Sequence, residues 1–253
     1  MIVIPMAGLS SRFARAGYDR PKWMLPLANR PLFDWSLMSF ADRFADTPFL
    51  IIFRRAPGME EFIRERITEL GISDARLVAL EAPTSGQAET VSLGLHAAGV
   101  LPNEPLIIFN IDTIRPHFRS PAEPADGWVE CFLGEGDHWS FVRPIEGYDD
   151  RAAEVVEKRR ISPFCSTGIY MFRSAALFQK ALDRETSAAT PTADESYVAP
   201  LYQHIIDDGG DVRFGLIRHD EIFFSGTPAE YEQTLVIQDR VAQSFRVRPE
   251  SCA

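Results

Sequence analysis

A loop rich in small and basic residues follows the first apolar run of the chain, in segment 4–27, IPMAGLSSRFARAGYDRPKWMLPL. Its candidate chemical groups are Gly8, Leu9, Ser10, Ser11, Arg12 and Lys22. The glycine can take a positive φ, and the three residues after it can present successive N–H groups to an anion. The arginine adds a planar fork of donors, and the lysine adds a flexible cation. The segment therefore predicts a triphosphate-binding loop; the alternative is a Gly-Ser turn with two solvated cations.

Familiar active-site patterns do not explain this loop. The sequence contains neither GxxxxGK[ST] nor GxGxxG, the two best-known phosphate-binding patterns. Its five histidines lack the spacing of a zinc site, and no GxSxG elbow makes a nucleophile of Ser10, Ser11 or Ser166. The predicted chemistry is therefore anion binding rather than zinc or acyl-enzyme chemistry.

Two further residues suit the ligands of such a loop. Asp112 follows a buried apolar strand, and a hard Mg²⁺ ion is commonly held by one or two carboxylates together with phosphate oxygens. Gln87 carries amide donors and an acceptor that match the N3–H and O4 edge of uracil or thymine. The alternatives are an aspartate that caps the next turn and a glutamine that faces water at a helix start.

The elements that must position these residues alternate between strand and helix through the first half. Continuous apolar runs predict strands, and 3.6-residue periodicity predicts helices. The predicted strands are 1–5, 48–53, 76–80 and 105–111, and the predicted helices are 59–70, closed by Gly71, and 86–98. This alternation indicates an α/β fold with a mostly parallel sheet, whose ligands bind at the carboxyl ends of the strands.

The second half is less regular. Segments 127–133 and 139–145 alternate like the two strands of a hairpin, and further strands are predicted at 167–172, 212–217 and 221–225. Helices are predicted at 174–182, at about 195–208 and at 227–244. The last helix has a clear start, because Thr227, Pro228 and Glu230 supply an N-cap, a first-turn proline and a capping-box carboxylate.

Composition limits the classes of partner. The 253 residues carry a formal net charge of −10, which disfavours nucleic acid and anionic membranes as partners. The three cysteines, Cys131, Cys165 and Cys252, are too few and too scattered for a disulfide framework. No segment resembles a signal peptide or a membrane span. We expect a cytoplasmic protein, and the sequence is compatible with a monomer or a homo-oligomer.

Several segments resemble, in the same order, signature segments of the sugar-phosphate nucleotidyltransferases. These enzymes join a nucleoside triphosphate to a sugar phosphate and release pyrophosphate. The matching segments are MAGLSSRF, RPKWMLPL, SGQAETV at 85–91, FNIDT at 109–113, EKRRIS with STGIYMF at 157–172, DESYVAPLYQHII and SGTPAEY. The resemblance covers nearly the full length. It implies a Rossmann-like three-layer α/β/α nucleotidyltransferase fold, similar to that of GT-A enzymes, over a single domain 1–253.

The resemblance also implies roles for individual residues. Nucleotide binding falls to Ala7, Gly8, Leu9, Ser10, Ser11 and Gln87 in half 1–115, with Arg12 and Lys22 as catalytic cations and Asp112 as the Mg²⁺ ligand. Binding of the sugar 1-phosphate falls to Glu157, Lys158, Gly168 and Glu195 in half 116–253. The alternatives are an exposed ion pair for the adjacent Glu157 and Lys158, and a helix-start carboxylate for Glu195.

Three positions depart from the family pattern. Ser10 stands where the second glycine of the opening motif is usual, and Trp23 replaces a usual proline nearby. Phe224 stands where many members carry a second metal-binding aspartate, so that ligand is missing or has moved. Beside sugar-nucleotide synthesis, three alternatives therefore stay open. They are a cytidylyltransferase for a non-sugar phosphate such as phosphocholine or a polyol phosphate, a non-catalytic nucleotide-sugar-binding protein, and a GT-A glycosyltransferase.

Overall fold

Strands and helices alternate along the chain in the computed structural model, which describes residues 1–187 and 195–246. The strands are β1 (Ile2–Met6), β2 (Pro26–Leu27), β3 (Arg30–Pro31), β4 (Phe49–Arg54), β5 (Ala75–Leu80), β6 (Leu106–Phe109), β7 (Thr113–Ile114), β8 (Gly127–Leu133), β9 (Ser140–Pro144), β10 (Ala152–Glu157), β11 (Phe164–Phe172), β12 (Val212–Ile217) and β13 (Phe223–Phe224). The helices are α1 (Ser11–Arg15), α2 (Leu32–Met38), α3 (Met59–Leu70), α4 (Gln87–Ala97), α5 (Ala175–Ser187), α6 (Leu201–Asp207), α7 (Pro228–Val236) and α8 (Gln238–Ser244).

Within the described residues, nine strands form one mixed sheet. Its main path runs β10-β9-β11-β6-β1-β4-β5, and β8 pairs with both β11 and β12. Strands β6, β1, β4 and β5 are parallel, whereas β11 runs antiparallel to β6, β8 and β9. The parallel part brings the carboxyl ends of β1 and β6 together at one edge, and those ends lead into the loop after Met6 and the segment after Phe109.

Helices cover both faces of this sheet. Successive residues of a central strand point to opposite faces, so Val3 joins one buried cluster and Ile4 the other. The first cluster includes apolar residues of α4, α5 and α6, and the second includes residues of α2 and α3. This arrangement confirms the predicted three-layer α/β/α fold with a mixed central sheet.

The regular first half follows its sequence pattern. Helix α3 has the predicted bounds and ends at Gly71, whose φ of 74° is a left-handed conformation that glycine adopts without strain. The capping box at the start of α7 also forms, because Thr227 Oγ1 accepts from the backbone N–H of Glu230, and the Glu230 carboxylate accepts from that of Thr227. Local signals were therefore sufficient at these positions.

Several predictions for the second half were wrong. Strands β8 and β9 form no hairpin, because they pair on opposite sides of β11. Strand β10 was not predicted, although it pairs antiparallel with β9, with a bulge between Ala152 and Glu154. The helix expected at about 195–208 begins only at Leu201, and the one expected over 227–244 is divided at Ile237 into α7 and α8. The pairings of β8 with β11 and β12 join strands distant in sequence, which local periodicity does not reveal.

No helix among the described residues is long and apolar enough to cross a membrane. Cys131 and Cys165 are free and buried, and Cys252 lies outside the described residues.

Candidate active site

One cleft of about 760 Å³ brings together the site residues predicted from the sequence. It opens at the carboxyl ends of β1 and β6. The predicted residues that line it are Ala7, Gly8, Leu9, Ser10, Ser11, Arg12, Lys22, Gln87, Asp112, Glu157, Lys158, Gly168 and Glu195. Residues from both halves of the chain therefore face the same space.

The loop after β1 has a different backbone from the one expected. The positive φ, 50°, belongs to Ser10 rather than to Gly8, and helix α1 begins at the next residue, so segment 4–27 is not loop throughout. A Cβ added to Gly8 would meet no protein atom within 4 Å. Neither the φ of residue 8 nor contact with neighbouring protein atoms requires a glycine at this position. The space beside it is open to a ligand.

Packing behind the loop holds it in place. Phe13 of α1 is buried, and its ring contacts Tyr18 and Tyr231 at centroid distances of 5.3 and 6.2 Å. The backbone N–H of Lys22 donates a long hydrogen bond, 3.5 Å between N and O, to the Ser10 hydroxyl. Trp23, where a proline is usual, is buried in the apolar cluster of α2 and α3. These contacts tie the glycine-serine loop to the segment that carries Lys22.

Lys22 forms an ion pair with Asp112 in the wall of the cleft. Lys22 Nζ lies 2.5 Å from Asp112 Oδ2, and about a fifth of each side chain is exposed. The backbone of Asp112 is held as well, because its carbonyl accepts from the N–H of Ser225 at 2.8 Å. Arg12 is exposed at the rim of the same cleft. Two cations and a carboxylate therefore line the same cleft as the loop after β1.

Gln87 is fixed by Asn110, a residue that the sequence analysis did not select. Gln87 Nε2 donates to Asn110 Oδ1, and a Cβ added to Gly168 would lie 2.6 Å from Asn110 Nδ2. Gly168 also has a φ of 90°, so two constraints favour glycine there. Asn110 lies within the FNIDT segment, two residues before Asp112, and that motif was the available signal. This side of the cleft therefore has an oriented amide suited to a base edge.

The partly buried carboxylate of Glu157 also lines the cleft and belongs to a hydrogen-bond network. The Ser140 hydroxyl donates to Glu157 and lies 3.0 Å from the hydroxyl of Tyr170. Burial raises the pKa of Glu157 above its usual value; the Ser140 hydrogen bond and the Lys158 charge oppose this shift, and the charge of Glu195 adds to it. Ser140 and Tyr170 were not predicted as site residues, because Ser140 lies opposite Glu157 through the pairing of β9 with β10, a strand that was not predicted.

Lys158 and Glu195 meet at Tyr197. Lys158 Nζ lies 4.4 Å from the centroid of the Tyr197 ring and bonds its hydroxyl, and Lys158 itself has a φ of 51°. Burial raises the pKa of Tyr197, and the nearby carboxylates of Glu195 and Glu157 raise it further. The segment that carries Glu195 is anchored to the start of α4, because Ala88 N donates to the carbonyl of Ser196 at 2.7 Å.

Phe224, at the position where the family pattern usually has an aspartate, packs among aromatic side chains. Its ring centroid lies 4.7 Å from that of Trp139 and 5.3 Å from that of Phe132. Strand β13 pairs with β7 so that Phe224 is opposite Thr113, next to Asp112. Among the described residues, no group of three or more His, Cys, Asp or Glu side chains could hold a metal by itself. Asp112 supplies hard oxygen donors, which suit Mg²⁺ when phosphate oxygens complete the coordination.

Solved structures with this fold are numerous. A nucleoside-diphosphate-sugar pyrophosphorylase from Vibrio cholerae RC9 is 42% identical, with a TM-score of 0.88 over 93% of this chain and 100% of that chain. An inositol-1-phosphate CTP transferase from T. maritima is 14% identical, with a TM-score of 0.73 over 96% and 95%. A UDP-glucose pyrophosphorylase complexed with UDP-glucose is 15% identical, with a TM-score of 0.71 over 94% and 98%. No family model and no curated protein matches the chain.

The two more distant structures share the nucleotidyltransferase fold with this protein, and at their level of identity they show the fold alone. The nearly full-length match at 42% identity shows more. The chain belongs to the nucleoside-diphosphate-sugar pyrophosphorylase family, which consists of sugar nucleotidyltransferases.

Proposed function

We propose that the protein joins a nucleoside triphosphate to a sugar 1-phosphate, giving a nucleotide sugar and pyrophosphate. The observation that carries this proposal is that the Lys22–Asp112 ion pair lines the same cleft as the backbone of residues 8–11 and the side chains of Glu157 and Lys158. Membership of the pyrophosphorylase family supports the same reaction.

In this reaction an oxygen of the sugar phosphate attacks the α-phosphorus of the triphosphate. The new bond joins that oxygen to the α-phosphorus, and the bond between the α-phosphorus and the bridging oxygen to the β-phosphorus breaks. The electron pair of the broken bond leaves with pyrophosphate. Because the attacking group is already an anion, the protein needs no general base, and its task is to bring two anions together and stabilise the charge that develops.

Each part of the cleft has a proposed role in this task. The backbone of residues 8–11 and Arg12 bind the β- and γ-phosphates, and Ala7 continues the same wall. Lys22 bridges the α-phosphate and the incoming phosphate. A divalent cation held by Asp112, for which we propose Mg²⁺, would neutralise phosphate charge when bound. Gln87 binds the base.

The acceptor side is proposed to bind the sugar 1-phosphate. Glu157 and Glu195 accept hydrogen bonds from hydroxyl groups, Lys158 contributes a cation, and Gly168 allows close approach of the sugar. Residues 1–115 thus form the nucleotide half and residues 116–253 the sugar-phosphate half of a single domain. The two free, buried cysteines support a reducing, cytoplasmic location. A homo-oligomeric state stays a prediction.

The test is pyrophosphate release with Mg²⁺ for each nucleoside triphosphate against a panel of phosphates. The panel contains sugar 1-phosphates, phosphocholine and a polyol phosphate. We expect release with one base and a sugar 1-phosphate, together with formation of the corresponding nucleotide sugar. Release only with phosphocholine or the polyol phosphate would show that the acceptor is a non-sugar phosphate rather than a sugar 1-phosphate. Binding of a nucleotide sugar without release from any pair would contradict the enzymatic proposal.

A further inference from the structure

The second carboxylate that the family usually places at position 224 has a candidate replacement on α7. Phe224 occupies the usual position, and its ring packs against Trp139 and Phe132. Glu230, six positions further along the chain, lines the cleft beside Asp112 and is half-buried. Its carboxylate is therefore the natural group to compare with the missing one.

Gly226 reveals how near the two carboxylates are. A Cβ added at this glycine would lie 2.9 Å from Asp112 Oδ2 and 3.3 Å from Glu230 Oε2. The φ of Gly226 is not left-handed, so backbone conformation does not require glycine there. The absence of a side chain instead leaves room for two carboxylate oxygens that approach the same point from different elements.

The capping box fixes the direction of the Glu230 side chain without exhausting its oxygens. Glu230 Oε2 accepts from the backbone N–H of Thr227 at 2.8 Å. An ionised carboxylate offers about four lone-pair sites, so acceptor capacity remains for a cation. The helix start therefore holds this carboxylate in one orientation before any ligand arrives.

Charge around this point is unbalanced. Lys22 pairs with Asp112, whereas Glu230 forms no described ion pair. Of these two carboxylates only Asp112 is paired with the lysine, and a divalent cation would offset the remaining negative charge. A potential ligand pair of two carboxylates completed by phosphate oxygens is the usual environment of Mg²⁺ at phosphate-handling sites.

We propose that Glu230 supplies the second carboxylate for the divalent cation bound by Asp112, in place of the aspartate that Phe224 displaces. This inference rests on the proposed nucleotidyl-transfer function. It assigns Glu230 two roles, as a helix cap and as a cation ligand, and it assigns Gly226 the role of keeping the space between the carboxylates open.

The test separates the two roles through Glu230→Gln. Glutamine still accepts the capping hydrogen bond, so the thermal unfolding midpoint should stay near that of the wild type. Mn²⁺ binding, measured by electron paramagnetic resonance with a non-hydrolysable triphosphate analogue present, should weaken at least ~10-fold, because loss of even a supporting partner of a metal site costs that much. The matched control is Glu232→Gln, which removes an exposed carboxylate from the same helix and should leave Mn²⁺ affinity unchanged.

A second variant tests the replacement directly. Phe224→Asp added to Glu230→Gln returns a carboxylate to the usual family position, and Mn²⁺ affinity should recover. Unchanged Mn²⁺ affinity in Glu230→Gln alone would overturn the inference and leave Glu230 as a helix cap. Tight wild-type Mn²⁺ binding that depends on Glu230, without pyrophosphate release from any substrate pair, would instead contradict the proposed function while supporting the ligand assignment.

Discussion

Lys22 Nζ and Asp112 Oδ2 lie 2.5 Å apart, although 90 positions separate the two residues in the sequence. The pair joins the loop after β1 to the end of β6, two neighbouring parallel strands. Each charge is partly desolvated, so each depends on the other until a phosphate or a cation takes its place. The ion pair therefore keeps both side chains in the cleft at the point where the reacting phosphates are proposed to meet.

Lys22→Ala should reduce pyrophosphate release at least ~10²-fold, as expected when a preorganised donor to developing charge is lost. The measurement is kcat for the substrate pair found in the panel. Lys180→Ala is the matched control, because Lys180 pairs with Asp208 on the surface and 64% of its side chain is exposed. The control should keep wild-type kcat. Similar activity in both variants would exclude a catalytic role for Lys22.

Ser10→Gly should be tolerated, and Ser10→Val should not. Ser10 has a φ of 50°, where a non-glycine residue costs about 1–2 kcal/mol and a β-branched one costs more. Glycine removes that cost and the long hydrogen bond to Lys22 N together, so the unfolding midpoint should rise or stay unchanged. Valine should lower the midpoint and raise KM for the nucleotide. A destabilised Ser10→Gly variant would show that the hydroxyl contributes more than the strained backbone costs.

Gly8→Ala should separate ligand binding from stability. The added Cβ meets no protein atom within 4 Å, and the residue does not have a left-handed φ. The unfolding midpoint should therefore change little, whereas KM for the triphosphate should rise because the methyl group occupies space beside the proposed phosphates. Calorimetric binding of the triphosphate provides the check. An unchanged affinity would indicate that the phosphates of the nucleotide do not bind beside Gly8.

Protonation of Glu157 should weaken acceptor binding as the pH falls. Burial raises the pKa of this carboxyl group above its usual value, so it loses its charge at a higher pH than an exposed glutamate does. Glu157→Gln should raise KM for the sugar 1-phosphate ~10-fold, which corresponds to one hydrogen bond to a charged group. The ratio of KM values, variant to wild type, should shrink toward low pH. Because protonation of the sugar 1-phosphate affects both KM values equally, its effect is absent from this ratio.

The same substitution should stabilise the protein at neutral pH. A carboxyl group whose folded pKa is raised contributes its full stability below the unfolded pKa and loses it as the pH rises through the folded pKa. Glutamine cannot ionise, and it can still accept from Ser140. The difference in unfolding midpoint between Glu157→Gln and the wild type should therefore grow with pH from the acidic range upward. A difference independent of pH would contradict this account.

The convergence of the residues proposed to bind the nucleotide was largely predictable from the sequence. In a parallel sheet, residues that follow neighbouring strands meet at one edge, so the loop after β1 and Asp112 had to lie close together. The acceptor side was predictable only through resemblance to a family. Its carboxylate is organised by Ser140, which lies opposite Glu157 in the β9–β10 pairing, and β10 itself was not recognised.

Backbone conformation was the least predictable property of the site. The sequence places a glycine at position 8 and a serine at position 10, and propensity alone assigns the left-handed φ to the glycine. The structure assigns it to Ser10, because the following helix and the bond to Lys22 N determine the path of the chain. Likewise, only the packed structure relates Gly168 to Asn110, since their contact depends on the pairing of β11 with β6.

Gly168→Ala should lower the free energy of unfolding, and comparison with Gly147→Ala separates the effect of backbone conformation from that of contact with Asn110. Gly168 and Gly147 both have left-handed backbones, with φ values of 90° and 83°. An added Cβ meets Asn110 Nδ2 at 2.6 Å in the first case and nothing within 4 Å in the second. Gly147→Ala should therefore cost only the conformational term, about 1–2 kcal/mol, whereas Gly168→Ala should cost that amount and the displacement of Asn110 as well.

Gly168→Ala should also weaken nucleotide binding, because Asn110 orients Gln87. Gln87 donates to Asn110, so displacement of this amide should raise KM for the nucleotide in Gly168→Ala and leave it unchanged in Gly147→Ala. Chemical denaturation gives the free energy of unfolding of each variant, and initial rates give KM for the nucleotide. Equal destabilisation of the two variants would mean that displacement of the Asn110 side chain does not lower the free energy of unfolding. An unchanged nucleotide KM in Gly168→Ala would separate Asn110 from the binding of the base.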